Sequence, residues 1–114
     1  MSRHDPLVTL AQMRDHAREA MQLSRGRVRA DLDSNRLLNL ALVRLMEVVG
    51  EAATRLPDSF REAHPQVPWR QIVSLRTRLI HAYDRVDFDV LWQILREDLP
   101  PLVIQLDEIF AAGR

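Results

Sequence analysis

The stretch NRLLNLALVRLMEVVGEAATRLP, residues 35 to 57, decides the fold of this chain. Its apolar residues recur at spacings of three and four, which is the period of an α-helix with one buried face. We therefore expect a long central helix that follows the Asp31–Ser34 cluster and runs to about Leu56, where Pro57 stops it. The apolar stripe comprises Leu38, Leu42, Leu45, Val49, Ala52 and Leu56, widened by Leu37, Ala41 and Val48.

The segments before and after this helix also carry helical signals. Asp5 and Pro6 fit the N-cap and the first position of a helix that we expect to end near Gly26. Prolines interrupt regular structure between residues 57 and 68, although residues 58 to 62 can form one short turn of helix. The N-terminal half is therefore predicted to contain two long helices and a short turn.

The C-terminal half is predicted to complete an all-α fold. A third long helix opens at Pro68–Trp69 and is expected to end around Tyr83 or Asp84. Asp87 can cap a fourth helix, which Pro100–Pro101 must kink or restart because proline has no amide hydrogen. Four or five helices with short connections make an antiparallel bundle.

Composition excludes several classes of chemistry. The absence of cysteine removes disulfides, thiolate zinc sites and cysteine nucleophiles. Sixteen arginines, with no lysine, balance sixteen acidic residues, so a site for a polyanion must be a local cluster. We expect neither a metal nor a cofactor, since no spacing of His, Asp and Glu resembles a ligand set. With no signal peptide and no window near ~20 apolar residues, a cytoplasmic single domain over residues 1–114 is expected, without membrane contact.

The apolar stripe of the central helix is wide for so small a bundle. Part of it therefore has room to meet another chain, and we expect a homodimer. A monomer in which all of these residues fill one core remains an alternative, because periodicity cannot separate core from interface.

The motif with the clearest chemical meaning is RTRLIHAY, residues 76 to 83. It places Arg76, His81 and Tyr83 within one short segment. RNA cleavage without a metal requires removal of a proton from the 2′-hydroxyl, protonation of the leaving oxygen and stabilisation of a phosphorane. Histidine can carry out either proton transfer, and arginine can stabilise the developing charge. The motif therefore predicts chemistry on a phosphodiester.

The spacing of the motif limits its geometry. On a regular helix His81 would lie about 140° from Arg76 and one turn above Thr77. The two groups can converge on one phosphate if the helix frays near His81 or if two copies meet across a two-fold axis. A symmetric dimer would also supply two histidines, one as acid and one as base.

Three further residues are candidates for supporting roles. Thr77 can hydrogen-bond to His81, and Arg78 can add charge nearby or pair with Asp84. Glu51 lies on one face of the central helix with Glu47 and Arg44, where a ladder of charges along the helix is favoured over a role in the site.

Residues 76 to 83 match the Arg-X4-His-X-Tyr signature of HEPN-domain toxins of the HepT type, which this chain resembles. Two positions depart from the family pattern: Thr77 stands where a polar amide or acid is common, and Ala82 where glycine is common. Further matches cover nearly the whole chain in order: Val49-Gly50-Glu51-Ala52-Ala53, Pro68-Trp69-Arg70-Gln71-Ile72, Leu79-Ile80-His81, Val86-Asp87 and Glu97-Asp98-Leu99-Pro100-Pro101-Leu102.

The resemblance implies a dimeric HEPN-like bundle that acts as the toxin of a toxin–antitoxin pair. Such a toxin is a metal-independent ribonuclease with RNA as its substrate, and a minimal nucleotidyltransferase antitoxin of the MntA type holds it inactive. Arg76 and His81 would be the catalytic pair, and Tyr83 would accept AMP from the antitoxin. The alternative is a non-catalytic interaction partner of a nucleotidyltransferase. A DNA-binding regulator is disfavoured by zero net charge and the lack of a helix-turn-helix signature.

Overall fold

The computed structural model describes residues 5–81 and 85–113. In these ranges the regular structure is helical, apart from one antiparallel bridge between Ile80 and Val86, which confirms the all-α prediction. The elements are α1 (Pro6–Ser24), α2 (Asp31–Ser34), α3 (Arg36–Arg55), α4 (Asp58–Ala63), α5 (Trp69–Val73), α6 (Leu75–Leu79), α7 (Phe88–Gln93), a π-helical turn (Ile94–Asp98) and α8 (Leu99–Ala112).

Local chemistry sets both ends of α1. The Asp5 carboxylate accepts a hydrogen bond from the Leu7 N–H at 2.9 Å, and Pro6 occupies the first turn, where its missing N–H costs nothing. Beyond Ser24, Gly26 adopts a φ of +73°, a left-handed conformation that favours glycine. The predicted start and end of this helix are confirmed.

The central helix is α3, which packs against α1 on one side and against α5 and α6 on another. The Asn35 side chain caps it by accepting from the Leu38 N–H at 3.0 Å. The six residues of the main apolar stripe are buried, whereas Leu37 is 80% exposed. The stripe therefore continues past the core onto the surface.

The expectation of one long helix from Pro68 to Tyr83 or Asp84 is wrong. The chain instead forms α5 and α6, separated at Ser74, and α6 ends at Leu79. Ile80 is extended, and the bridge to Val86 is flanked by two backbone hydrogen bonds, from His81 N–H to Arg85 O at 2.7 Å and from Asp87 N–H to Leu79 O at 2.8 Å. These bonds satisfy backbone groups that a longer helix would have used.

The close approach of α3 explains where α5 and α6 lie. A Cβ at Gly50 would stand 3.1 Å from the Ile72 carbonyl oxygen and 3.5 Å from the Leu75 Cβ. The absent side chain thus lets the junction of α5 and α6 rest directly on the central helix.

The proline pair is accommodated by a widened turn. The Leu99 N–H donates to the Ile94 carbonyl, five residues earlier, and Pro100 follows at the start of α8. The predicted disturbance before Pro100–Pro101 is therefore a π turn between α7 and α8. None of the helices in the described ranges combines the length and the apolar character that crossing a membrane would require.

Candidate active site

Helix α6 holds the first half of the motif at the surface. Leu75 and Leu79, one turn apart, are 3% and 0% exposed and anchor one face of the helix in the core. Arg76 and Thr77 lie on the outer face, where both are exposed. The motif arginine is therefore presented to solvent from a rigidly packed turn.

The partner of Arg76 is a carboxylate from the central helix. Arg76 Nε lies 3.3 Å from Glu47 Oε2, and Arg44 Nη1 lies 3.9 Å from the other oxygen of Glu47. Sequence reasoning assigned Glu47 only to a charge ladder with Arg44, and that pair is confirmed. Its contact with Arg76 was missed because 29 residues separate the two, and no local signal reports such a contact.

An open groove lies beside this contact. It has a volume of about 350 Å³ and runs between α3 and the junction of α5 and α6. Glu51, a candidate for a supporting role, lines this groove but directs Oε2 to Arg55 Nη2, at 3.0 Å along its own helix. The other lining residues are Arg44, Glu47, Gly50, Thr54, Val73 and Arg76.

His81 lies two residues after α6, at the end of the segment of residues 79–81 that pairs with residues 85–87. Side chains alternate from face to face along paired strands, so His81, Arg85 and Asp87 share one face and Ile80 and Val86 share the other. His81 Nε2 lies 3.6 Å from Asp87 Oδ2, and the His81 side chain is 54% exposed. The imidazole therefore faces a carboxylate and also meets solvent.

Asp87 has two roles in this arrangement. Its Oδ1 accepts from the N–H groups of Asp89 and Val90, both at 3.1 Å, and so caps α7 as predicted. The pKa of Asp87 is lowered, chiefly because the Val90 N–H donates to the carboxylate and also because of His81. Asp87 is therefore an anion beside His81 at neutral pH. Sequence reasoning gave it only the capping role.

The other predicted site residues are placed as follows. Arg78 Nη2 donates to Asp98 Oδ2 at 3.2 Å and so ties α6 to the π turn. The predicted contact between Thr77 and His81 required helical backbone as far as His81, and α6 ends two residues earlier. Tyr83 and Asp84 lie outside the described residues.

Because α6 ends at Leu79, Arg76 and His81 do not lie on one continuous helix. A separation of about 140° between Arg76 and His81 holds only for a continuous helix, whereas α6 ends at Leu79 and Ile80 is extended. Within the described ranges the two side chains contact different carboxylates, Glu47 and Asp87, and no hydrogen bond joins them directly. The two groups are thus exposed and separately held.

Across residues 5–81 and 85–113, no group of three or more His, Cys, Asp or Glu side chains is arranged to hold a metal ion.

Comparison with known proteins defines the class of this helical domain. The family model described as Ribonuclease HepT-like matches residues 13–109, and the chain therefore belongs to the HepT-like ribonuclease family. This confirms the resemblance to the HepT type that residues 76–83 indicated.

Named relatives of this chain occur in archaea and bacteria. Putative RNase MJ1380 of Methanocaldococcus jannaschii is 32% identical over 102 residues, which cover 90% of this chain and 94% of that protein. Probable ribonuclease HepT of Thermococcus cleftensis is 45% identical over 62 residues, 54% of this chain and 56% of that protein. Putative RNase TTE0752 of Caldanaerobacter subterraneus subsp. tengcongensis is 39% identical over 79 residues, 69% and 70% of the two chains. No solved structure matches this chain.

Proposed function

We propose that this chain is a ribonuclease that cleaves RNA without a metal ion and uses Arg76 and His81 as its catalytic pair. Family membership and the names of the relatives support the substrate class. The observation that carries the proposal is the end of α6 at Leu79, which leaves an exposed imidazole beside a carboxylate, five residues after an exposed arginine.

The chemistry follows from these two side chains. The imidazole of His81 exchanges a proton with the 2′-hydroxyl or with the leaving 5′-oxygen, because an imidazole can act as either a general acid or a general base. The guanidinium of Arg76 stabilises the negative charge that develops on the phosphorane. Cleavage of this type leaves a 2′,3′-cyclic phosphate or a 3′-phosphate.

A homodimer completes the mechanism, because one motif supplies one histidine and the reaction needs both an acid and a base. Two chains related by a two-fold axis provide both groups from identical sequences. Support comes from Leu37 and Leu40 on α3, two large apolar residues that are 80% and 47% exposed.

The biological role that fits such an enzyme is that of a toxin held in check by a partner. The partner is a minimal nucleotidyltransferase antitoxin of the MntA type, which transfers AMP to Tyr83. Support for this part comes from the sequence, where Tyr83 stands two residues after His81. A bulky, negatively charged adduct there would compete with the phosphate of RNA.

The test is cleavage of a defined RNA in the presence of EDTA by the wild type and by two variants, His81→Ala and Arg76→Ala. Each substitution is expected to lower the rate by about 100-fold or more. Matched controls are His16→Ala on α1 and Arg25→Ala just after it, and both should cleave like the wild type. Retained cleavage by folded His81→Ala would contradict the catalytic assignment and favour a non-catalytic partner of a nucleotidyltransferase.

A further inference from the structure

Asp87 is held in place by bonds that leave one of its oxygens for His81. Its Oδ1 accepts from two N–H groups of the first turn of α7, and its own N–H donates to Leu79 O across the bridge. Its Oδ2 faces His81 Nε2 at 3.6 Å. Hydrogen bonds thus hold the backbone at both residues of this contact, since the His81 N–H donates to Arg85 O and the Asp87 N–H donates to Leu79 O.

We propose that Asp87 is a positioning residue that keeps the proton of the neutral His81 imidazole on Nε2, so that Nδ1 is the nitrogen that exchanges a proton with RNA. The catalytic part of this inference rests on the ribonuclease activity proposed above. The structural part, the location of the proton on the ring, stands independently of activity.

The chemistry of the two groups supports this assignment. An ionised carboxylate can only accept hydrogen bonds, so a ring nitrogen that faces it is favoured as the one that carries the hydrogen. A neutral imidazole has a single N–H, and the other nitrogen must then be an acceptor. With Nε2–H directed at Asp87, the lone pair of Nδ1 remains to accept a proton, and the carboxylate balances the charge of the imidazolium that forms.

A purely structural role for Asp87 predicts something different. As the N-cap of α7 it could be replaced by asparagine or serine with little loss of stability, because all three residues are strong N-caps. The two replacements differ at His81. Asparagine can keep its oxygen on the α7 amides and direct its NH2 group at Nε2, which would place the ring proton on Nδ1. Serine supplies a cap without a group that reaches the imidazole.

The experiment compares the wild type with Asp87→Asn and Asp87→Ser by ¹⁵N NMR of the histidine ring nitrogens, with His81→Ala used to assign the signals. The wild type should carry its proton on Nε2, and Asp87→Asn should move population to Nδ1. Asp87→Asn should also lower kcat by about 10-fold or more with little change in KM, and Asp87→Ser should lose less. Thermal unfolding of all three should agree within a few degrees.

The outcomes separate this inference from the proposed function. If His81→Ala cleaves RNA like the wild type, the proposed function fails, and the ring proton observed in the wild type and in Asp87→Asn still decides the role of Asp87. If His81→Ala is inactive while Asp87→Asn keeps the wild-type rate and ring proton, Asp87 is only a helix cap and the inference is overturned.

Discussion

Glu47 and Arg76 meet across 29 residues of sequence, with Oε2 of the carboxylate 3.3 Å from Nε of the guanidinium. The contact joins the central helix α3 to α6, which carries Arg76. It also means that a phosphate approaching Arg76 must compete with a carboxylate already present, because both are acceptors for the same donors.

Glu47→Gln should therefore strengthen RNA binding. The amide keeps the shape of the side chain and removes one negative charge beside the guanidinium, so the Kd for a short RNA should fall by about 2- to 5-fold at low salt. Binding is measured by fluorescence anisotropy in the His81→Ala background, where the RNA stays intact. Asp33→Asn is the matched control, since Asp33 pairs with Arg29 and does not line this groove, and weaker binding by Glu47→Gln would refute the competition.

Gly50→Ala should displace the helices that carry the motif and so disturb the candidate site. Its Cβ would meet the Ile72 carbonyl oxygen at 3.1 Å, so the junction of α5 and α6 must move away from α3. We expect a loss of about 1–3 kcal/mol in the free energy of unfolding, measured by urea denaturation, together with slower RNA cleavage.

Gly26→Ala is the control for Gly50→Ala. A Cβ at Gly26 meets nothing within 4 Å, but the φ of +73° is strained for alanine. Gly26→Ala should lower the free energy of unfolding by about 1 kcal/mol and leave the rate of RNA cleavage unchanged. If Gly50→Ala keeps both wild-type stability and wild-type activity, the close approach of the two elements does not position the motif.

The lowered pKa of Asp87 predicts a pH dependence of stability. A carboxyl whose pKa falls on folding stabilises the folded chain fully above its ordinary value of 3.8 and loses that contribution as the pH drops through the lower folded value. The free energy of unfolding of the wild type should therefore fall more steeply below about pH 4 than that of Asp87→Asn. If the free energy of unfolding changes with pH equally in the two proteins between pH 5 and pH 2, the pKa of Asp87 is not lowered by folding.

Leu37→Glu should weaken the proposed dimer without weakening the folded chain. The side chain is 80% exposed, so the core loses nothing, whereas an interface that buried it would have to accept a charge. Light scattering on dilution should show dissociation at a higher concentration than in the wild type. Val28→Glu is the control, because Val28 is 61% exposed and lies outside α3. Equal behaviour of the two variants would place the interface elsewhere.

Tyr83→Phe should keep RNA cleavage and lose the inactivation by AMP transfer. Phenylalanine removes the hydroxyl that would accept AMP and leaves Arg76 and His81 in place, so the variant should cleave RNA like the wild type. If the proposed control by AMP transfer holds, incubation with a minimal nucleotidyltransferase of the MntA type, ATP and magnesium should inactivate the wild type and leave Tyr83→Phe active. The added AMP is measured by intact mass. Equal silencing of both proteins would indicate inhibition by binding alone.

The parts of the fold that depend on local chemistry could be predicted from the sequence. Each of these signals is visible within a few residues of sequence. They are the helix caps at Asp5 and Asp87, the stop at Pro57 and the regular apolar spacing of the central helix. The third helix was mispredicted because a contact with a later segment of the chain, residues 85–87, limits its length. Apolar spacing continues past Leu79, but the bridge from Ile80 to Val86 uses the backbone that the helix needed.

The candidate site shows the same division. The sequence singled out Arg76 and His81, because their chemistry and spacing are visible in a short window. The carboxylates that contact them, Glu47 and Asp87, had been given other roles, since both perform ordinary local functions as well. The sequence shows the local role of each carboxylate. It gives no signal for a second role that arises only from a contact between distant parts of the chain.

The π turn at Ile94–Asp98 makes the length of one short segment matter more than its composition. An α-helical turn takes up about 3.6 residues, and the π turn between α7 and α8 takes up about one residue more. A lineage that lost one codon in this segment would have to close the wide turn to an ordinary α-helical one, which would bring a proline ring against the carbonyl four residues before it. Natural variants should therefore exchange side chains here and still conserve the residue count between Gln93 and Leu99.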